Sequence, residues 1–156
     1  YELMPSLVGS EMCIRDSSHI ARQGYITQHQ VGEFTAPPIA ELSAAVWPDS
    51  VGIAETTLNS LVEIHTLTVR IMIDWLRYKD AEREYKIMDA QSRFLTDLVE
   101  DFQLGGNIRA IDFAGMYGAS VSIDWGRIDI GSPSKIYRVV DMRIPLIIDS
   151  TDTLAP

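Results

Sequence analysis

Hydrophobic residues recur at helical spacing in one segment of the chain, residues 78–103, and charged residues fill the positions between them. This pattern predicts a long amphipathic helix with one side toward water. The helix is expected to end at Gly105 and Gly106, because glycine accepts the positive φ of a helix stop. The residues expected on the apolar side are Tyr78, Ala81, Tyr85, Met88, Leu95, Leu98, Val99 and Phe102.

The segments on both sides of this helix alternate between apolar and polar residues, as strands do. The clearest strand is 61–74, in which Leu67, Val69 and Ile71 point one way. The phase reverses before His65, which predicts a bulge or a change of partner there. A second long strand, 136–149, contains Pro145, which has no N–H to donate. We therefore predict a sheet edge or a break in pairing at this proline.

Shorter strands are expected at residues 39–47, 108–114 and 121–130. Residues 18–38 are polar and end in two prolines, so they predict a loop. Residues 51–60 predict a hairpin arm or a loop. Strands grouped on either side of one helix predict an α+β fold, a mainly antiparallel sheet with one long amphipathic helix packed across one face. The opposite face is expected to meet solvent, a missing segment or another subunit, although it carries Met72, Tyr137, Val139 and Ile147.

The first residues, 1–17, are set apart from this organisation. The heptapeptide EMCIRDS, residues 11–17, resembles the translation of a transposon adapter used in sequencing libraries. We interpret residues 1–17 as a non-native N-terminal scar, outside the fold. Residues 18–150 are expected to form a single α+β domain, and residues 151–156 a frayed polar tail.

Composition narrows the classes of function. The 156 residues have a formal net charge of −9, and their basic residues are scattered. Binding to a nucleic-acid backbone or an anionic membrane takes clustered Lys and Arg, so we expect neither partner. The longest apolar runs are shorter than the roughly 20 residues of a membrane helix. Cys13 is the only cysteine, which leaves no internal disulfide.

The sequence lacks the usual patterns of catalytic and ligand-binding sites. His19, His29 and His65 lack the spacing of metal ligands, no GxSxG motif presents a serine, and Gly105–Gly106 lacks the Lys of a P-loop. Trp47, Trp75 and Trp125 are interpreted as core or interface anchors. Converging acids would be the best enzyme-like feature, but strand faces normally carry solvated aspartates. We therefore predict no catalytic, cofactor-binding or metal-binding residues. The four acids in question are Asp112, Asp124, Asp129 and Asp141.

The stretch from residue 61 to residue 149 resembles a known family. It places a strand, LVEIHTLTVRIMID at Leu61–Asp74, before a long helix and an LGG segment at 104–106. Short strands then lead to a final strand, YRVVDMRI at 137–144. This order resembles the tail terminator and head–tail joining (neck) proteins of long-tailed bacteriophages and prophages. The family's N-terminal helix is absent or overwritten here, and residues 124–134 lengthen the last hairpin.

The resemblance implies a structural role without enzymatic activity or cofactors. Such proteins form a ring, usually of six copies, that caps the tail tube and joins it to the head connector. It implies tail tube and head connector proteins as partners, assembly in the bacterial host cytoplasm and a final place in the virion. Two alternatives stay open: another phage structural module, such as a tail tube or head completion subunit, and a small hydrolase or ligand-binding domain that uses the strand aspartates.

Overall fold

The computed structural model describes residues 26, 28–38, 40–56, 60–101, 104, 108–118 and 120–149. The proposed scar at 1–17, the tail at 151–156 and the helix stop at Gly105 and Gly106 lie outside these residues. The elements, in chain order, are β1 (Gln28–Val31), β2 (Leu42–Thr56), β3 (Leu61–Asp74), α1 (Asp80–Glu100), β4 (Ala110–Ile111), β5 (Ser122–Ile130) and β6 (Lys135–Asp149).

The six strands form one sheet in the order β1-β2-β3-β6-β4, and β5 also pairs with β6. Every pairing is antiparallel except that of β1 with β2. The predicted α+β class with a mainly antiparallel sheet is therefore confirmed. β3 and β6 pair without a register shift from Val62–Asp149 to Asp74–Tyr137, and they form the centre of the sheet.

One loop prediction is wrong, and one open alternative is decided. Residues 28–31 form β1 instead of a loop, and this short strand pairs with residues 43–46 of β2. Its sequence, QHQV, has too little apolar alternation to announce a strand, so its pairing comes from the neighbouring strand. Residues 51–56 form the far half of β2, which is the hairpin arm of the two alternatives offered.

The alternation of β3 and β6 defines two faces of the sheet. The first face carries Leu67, Val69, Ile71 and Ile73 of β3, all fully buried. They share one apolar cluster with residues of β2, β6 and α1. The α1 residues in this cluster are Ile87, Ala90, Phe94 and Leu98, and those of β6 are Val140, Met142, Ile144, Leu146 and Ile148.

The predicted apolar side of the helix is wrong in most of its members. Tyr85, Met88 and Val99 are 72%, 55% and 59% exposed. Leu98 is buried as predicted, and Tyr78 and Leu95 pack against the core. The other buried residues of the helix are Arg83, Ile87, Ala90 and Phe94, which with Leu98 repeat at steps of three and four. The helix carries two apolar stripes about a third of a turn apart. The buried stripe was hard to recognise in the sequence because it contains the charged residue Arg83. Phe102 lies outside the described residues.

The second face of the sheet is partly covered by the chain itself, which corrects the expectation of an open face. Met72, Tyr137, Val139 and Ile130 form a small buried cluster, and Phe34 packs against it. A Cβ added at Gly131 would lie 2.9 Å from the side chain of Pro37, so residues near 34–37 lie close to the β5–β6 turn. Ile147, also on this face, is 5% exposed.

The phase changes seen in the sequence have two different origins. Opposite the reversal near His65, β3 is regular with β6, and the register shifts lie in its partner β2, between Pro48 and Ser50 and between Ile53 and Glu55. In β5 no register shift occurs against β6. There Ile123 and Trp125 lie on the first face, whereas Ile128 packs against the cluster on the second face. The apolar residues of β5 therefore move from the first face to the second face between Trp125 and Ile128.

Pro145 marks a change of partner in β6. On one side it pairs with Thr66 of β3. On the other side β6 pairs with β5 up to Arg143 and with β4 from Leu146. The Pro145 carbonyl accepts a hydrogen bond from the Asp112 N–H at 2.9 Å. The predicted break in pairing is thus present, but Pro145 is buried in the middle of the sheet and offers no free edge for another subunit.

Candidate functional site

Asp112, one of the four candidate acids, organises a loop. It is 3% exposed, and its carboxylate accepts hydrogen bonds from the backbone N–H groups of Gly115, Met116 and Tyr117 at 2.8–3.1 Å. Three N–H donors satisfy a buried carboxylate and fix the turn that follows β4. Asp112 is therefore occupied by its own loop.

The other three aspartates do not converge on one point. Asp124 and Asp141 are direct cross-strand partners on the second face. Asp129 pairs with Ile136 and lies on the first face. In the part of the chain that the structure describes, no three His, Cys, Asp or Glu residues come together as a metal site would require. The ligand-binding alternative therefore loses its geometric basis at these residues.

The histidines are equally dispersed. His29 is exposed on β1. His65 is buried on the first face, and its Nε2 lies 2.8 Å from Oε2 of Glu63, two residues earlier on β3. The partly buried Glu63 carboxylate therefore provides the hydrogen-bond partner that offsets the cost of burying the imidazole. His19 and Cys13 lie outside the described residues.

Asp141 belongs to an ion network on the second face. Arg70 donates from Nε and Nη2 to the two carboxylate oxygens of Asp141, at 2.7 and 2.9 Å. A third carboxylate oxygen, from Glu33, lies 3.4 Å from Arg70 Nη1, and the Trp47 ring centroid lies 5.1 Å from the guanidinium carbon. The hydrogen bonds to Asp141 raise the pKa of Arg70 above its usual range. This network joins β3 to β6 where apolar cover is missing.

The first face carries a second cation–aromatic group at the start of α1. Arg83 is 4% exposed, and its guanidinium carbon lies 3.9 Å from the Trp75 ring centroid. Its Nη1 donates to the Trp75 carbonyl at 3.1 Å and to Asp80 at 3.0 Å. Arg83 therefore ties the β3–α1 turn to the helix, and its role is structural.

Beside this group lies an open cleft of about 230 Å³, lined by Glu84, Met88, Trp125 and Arg138. Arg138 Nε donates to Glu84 at 3.2 Å, and its guanidinium carbon lies 5.5 Å from the Trp125 ring centroid. The apolar walls are Met88 from the exposed stripe of α1 and Trp125 from β5. The cleft is open to solvent, and its aromatic and Arg lining is of the kind found at protein–protein contacts.

The cleft borders the free edge of β5. Within the described ranges, β5 pairs with β6 alone, so its outer N–H and C=O groups have no strand beside them. Ile123 and Trp125 of this strand are 37% and 39% exposed. At the opposite edge of the sheet, β1 pairs with only residues 43–46 of β2. Beyond that point Val51 and Ile53 are 51% and 67% exposed. Edge strands with exposed apolar side chains are places where another chain adds.

The sequence pointed to Trp125 as a core or interface anchor but did not reveal the surface around it. Trp47 and Trp75 are half-buried beside Arg70 and Arg83, so they anchor ion networks. Met88 was predicted on the buried side of the helix, so it was not expected at this surface. The free edge of β5 could not be predicted either, because it depends on the order of the strands in the sheet. The one available signal was the phase change at Gly126, which leaves Ile123 and Trp125 on a different side from Ile128.

No helix in the described part of the chain is both long enough and apolar enough to cross a lipid bilayer. A scan against models of protein families and a search of curated proteins found no match to this chain.

Proposed function

We propose that this protein is a structural component of a bacteriophage virion, a tail terminator or neck subunit. In this role copies of the chain form a ring that caps the tail tube and joins it to the head connector. The proposal starts from the order of strand, long helix and closing strands that the chain shares with that family. Its cofactor-free, non-enzymatic character belongs to the same proposal.

In this proposal the long helix packs across the first face of the sheet. The support is that Ile87, Phe94 and Leu98 share a cluster with strand residues. Its second apolar stripe, with Tyr85, Met88 and Val99, stays at the surface. A stripe of this kind is expected on a subunit that packs against like copies.

The observation that carries the proposal is the pair of open strand edges with exposed apolar side chains. Ile123 and Trp125 lie at one edge of the sheet, and Val51 and Ile53 lie at the other edge. A protein with two different unpaired strand edges can associate head to tail. Such contacts form a closed ring when the rotation from one copy to the next completes a full turn. The alternative of a tail tube or head completion subunit rests on the same edges and differs in its partners.

The first test is the mass of the purified chain with residues 1–17 removed, by size-exclusion chromatography with light scattering. We expect a discrete multiple of the chain mass; a monomer at every concentration would count against the proposal. The second test mixes the purified chain with a tail tube protein of a long-tailed phage, taken from the neighbouring genes when one is encoded there. When the chain described here is added to the tail tube protein, electron micrographs should show tubes of limited length with a ring at one end. Tubes of unlimited length, with the protein unattached, would contradict a terminator role.

A further inference from the structure

The two open edges also indicate how neighbouring copies meet. Resting on the proposed function, we infer that β5 of one copy pairs antiparallel with residues 47–56 of β2 in a second copy. These are the longest stretches of strand without a neighbour on one side in the described part of the chain. The partner is a second copy of this chain because the two edges complement each other in their apolar side chains and in strand direction.

The exposed apolar side chains match in position. Trp125 pairs with Val140 and Val51 pairs with His65, which places both on the first face of the sheet. If Trp125 lies opposite Val51 of the second copy, antiparallel pairing brings Ile123 opposite Ile53. Both pairs are apolar, and both lie on the face that carries the cleft. Cross-strand pairs of aromatic and β-branched residues stabilise a sheet.

Charge does not oppose this arrangement. Residues 47–56 of β2 contain Asp49 and Glu55 and no Lys or Arg. In the register above, Arg127 comes level with Asp49 of the second copy, but on the opposite face. Arg127 pairs with Arg138 on the first face, whereas the Asp49 carboxylate lies 3.6 Å from Arg143 on the second face. Asp124 comes opposite Gly52, so no two like charges are opposed.

Strand direction and stagger support a closed assembly. β5 runs parallel to β3 because both are antiparallel to β6, and β2 is antiparallel to β3. Two copies in the same orientation therefore meet with antiparallel strands. The open edges are also displaced along the strands: Gly126 aligns through Val139 with Met72, whereas Val51 aligns with His65. A constant stagger from copy to copy tilts the strands, as closure of a sheet requires.

Disulfide trapping tests this register. In a Cys13→Ser background, Trp125→Cys combined with Val51→Cys should give a ladder of covalent multimers on a non-reducing gel after mild oxidation. The matched control, Trp125→Cys with Gly52→Cys, places the second thiol on the opposite face and should remain monomeric. Nothing lies within 4 Å of a Cβ at Gly52, so this control should fold normally. A covalent dimer from Trp125→Cys alone would show that β5 meets β5, and it would overturn the proposal.

Charge substitution gives an independent measurement. Trp125→Asp and Ile53→Asp should each weaken association at least roughly tenfold, because a carboxylate is placed in an apolar contact. Met116→Asp, at a side chain that is 79% exposed outside both edges, should leave the mass unchanged. Circular dichroism and melting temperature establish that each variant is folded. If the unsubstituted chain is an oligomer and both edge variants keep its mass, this interface is wrong while the proposed function stands. If the unsubstituted chain is a monomer, both are overturned.

Discussion

The two faces of the sheet are stabilised by different means. On the first face, buried side chains of β2, β3, β6 and α1 form one continuous apolar cluster. On the second face a small cluster around Met72 and Tyr137 adjoins the Arg70–Asp141 ion pair. Apolar burial is worth about 25 cal/mol per Å² of surface removed from water, whereas a partly exposed ion pair contributes roughly 1 kcal/mol or less. The larger cluster on the first face is therefore expected to contribute more of the folding free energy than the second face.

The largest effect is expected from Phe94→Ala, which empties the centre of the first-face cluster. Loss of a fully buried Phe should lower the free energy of unfolding by about 3–5 kcal/mol, through lost transfer energy and a residual cavity. Chemical denaturation measures it. Val99→Ala on the exposed stripe is the matched control and should change the free energy by less than about 0.5 kcal/mol. Equal losses in the two variants would mean that the buried stripe has been wrongly assigned.

A smaller effect is expected from Met72→Ala on the second face. Met72 is 1% exposed, but its cluster is small and Phe34 beside it is only half-buried. We expect a loss of about 2–3 kcal/mol, at the lower end for a buried Met, because nearby side chains can close part of the cavity. The same denaturation assay measures it. A loss as large as that of Phe94→Ala would erase the contrast between the faces.

The ion pair is expected to contribute less again. A double-mutant cycle with Arg70→Met and Asp141→Leu should give a coupling energy of about 1 kcal/mol, since both side chains are partly exposed and solvent screens the pair. Added salt should reduce this coupling. A coupling energy above roughly 3 kcal/mol, insensitive to salt, would show instead that the second face depends on its charges.

The smallest effect on stability is expected from Tyr137→Phe. The Tyr137 hydroxyl makes no hydrogen bond of standard geometry to the described residues, and the Lys135 ammonium lies 5.8 Å from the ring centroid. Removing the hydroxyl should change the free energy of unfolding at neutral pH by no more than about 1 kcal/mol. A larger loss would mean that this hydroxyl has a strong partner.

The same residue gives a pH dependence. Burial raises the pKa of the Tyr137 phenol above its usual value of 10.0, and Lys135 offsets part of that shift. A raised pKa means that the folded state holds the proton more tightly than the unfolded state. The stability from this proton is therefore complete below about pH 10 and is lost as the pH rises through the raised pKa. Tyrosinate absorbance should show a late-titrating phenol that Tyr137→Phe removes.

The sequence predicted the parts of the fold that depend on local pattern. Alternation located β3 and β6 and assigned Leu67, Val69 and Ile71 to one face, and Pro145 marked a real break in pairing. The parts that depend on long-range pairing were not predictable. β1 exists because β2 lies beside it. The buried stripe of α1 contains Arg83, whose guanidinium forms an ion pair with Asp80 and donates a hydrogen bond to the Trp75 carbonyl.

The candidate surface follows the same division. Trp125 was a sequence candidate, but its neighbours Met88, Glu84 and Arg138 come from three separate places in the chain. The four aspartates seemed related by sequence because strand alternation repeats acids, and the register then separates them onto two faces and a loop. Pattern indicates which residues are exposed, whereas strand order decides which exposed residues become neighbours.

The change of partner at Pro145 divides the sheet into two branches that share β2, β3 and β6 as a common stem. One branch carries β5 and the other β4. The described residues 113–118 and 120–121 link the two branches across the fork and belong to neither strand. A change in the length of this link beyond the Asp112 turn is therefore expected to leave the register of both branches unchanged.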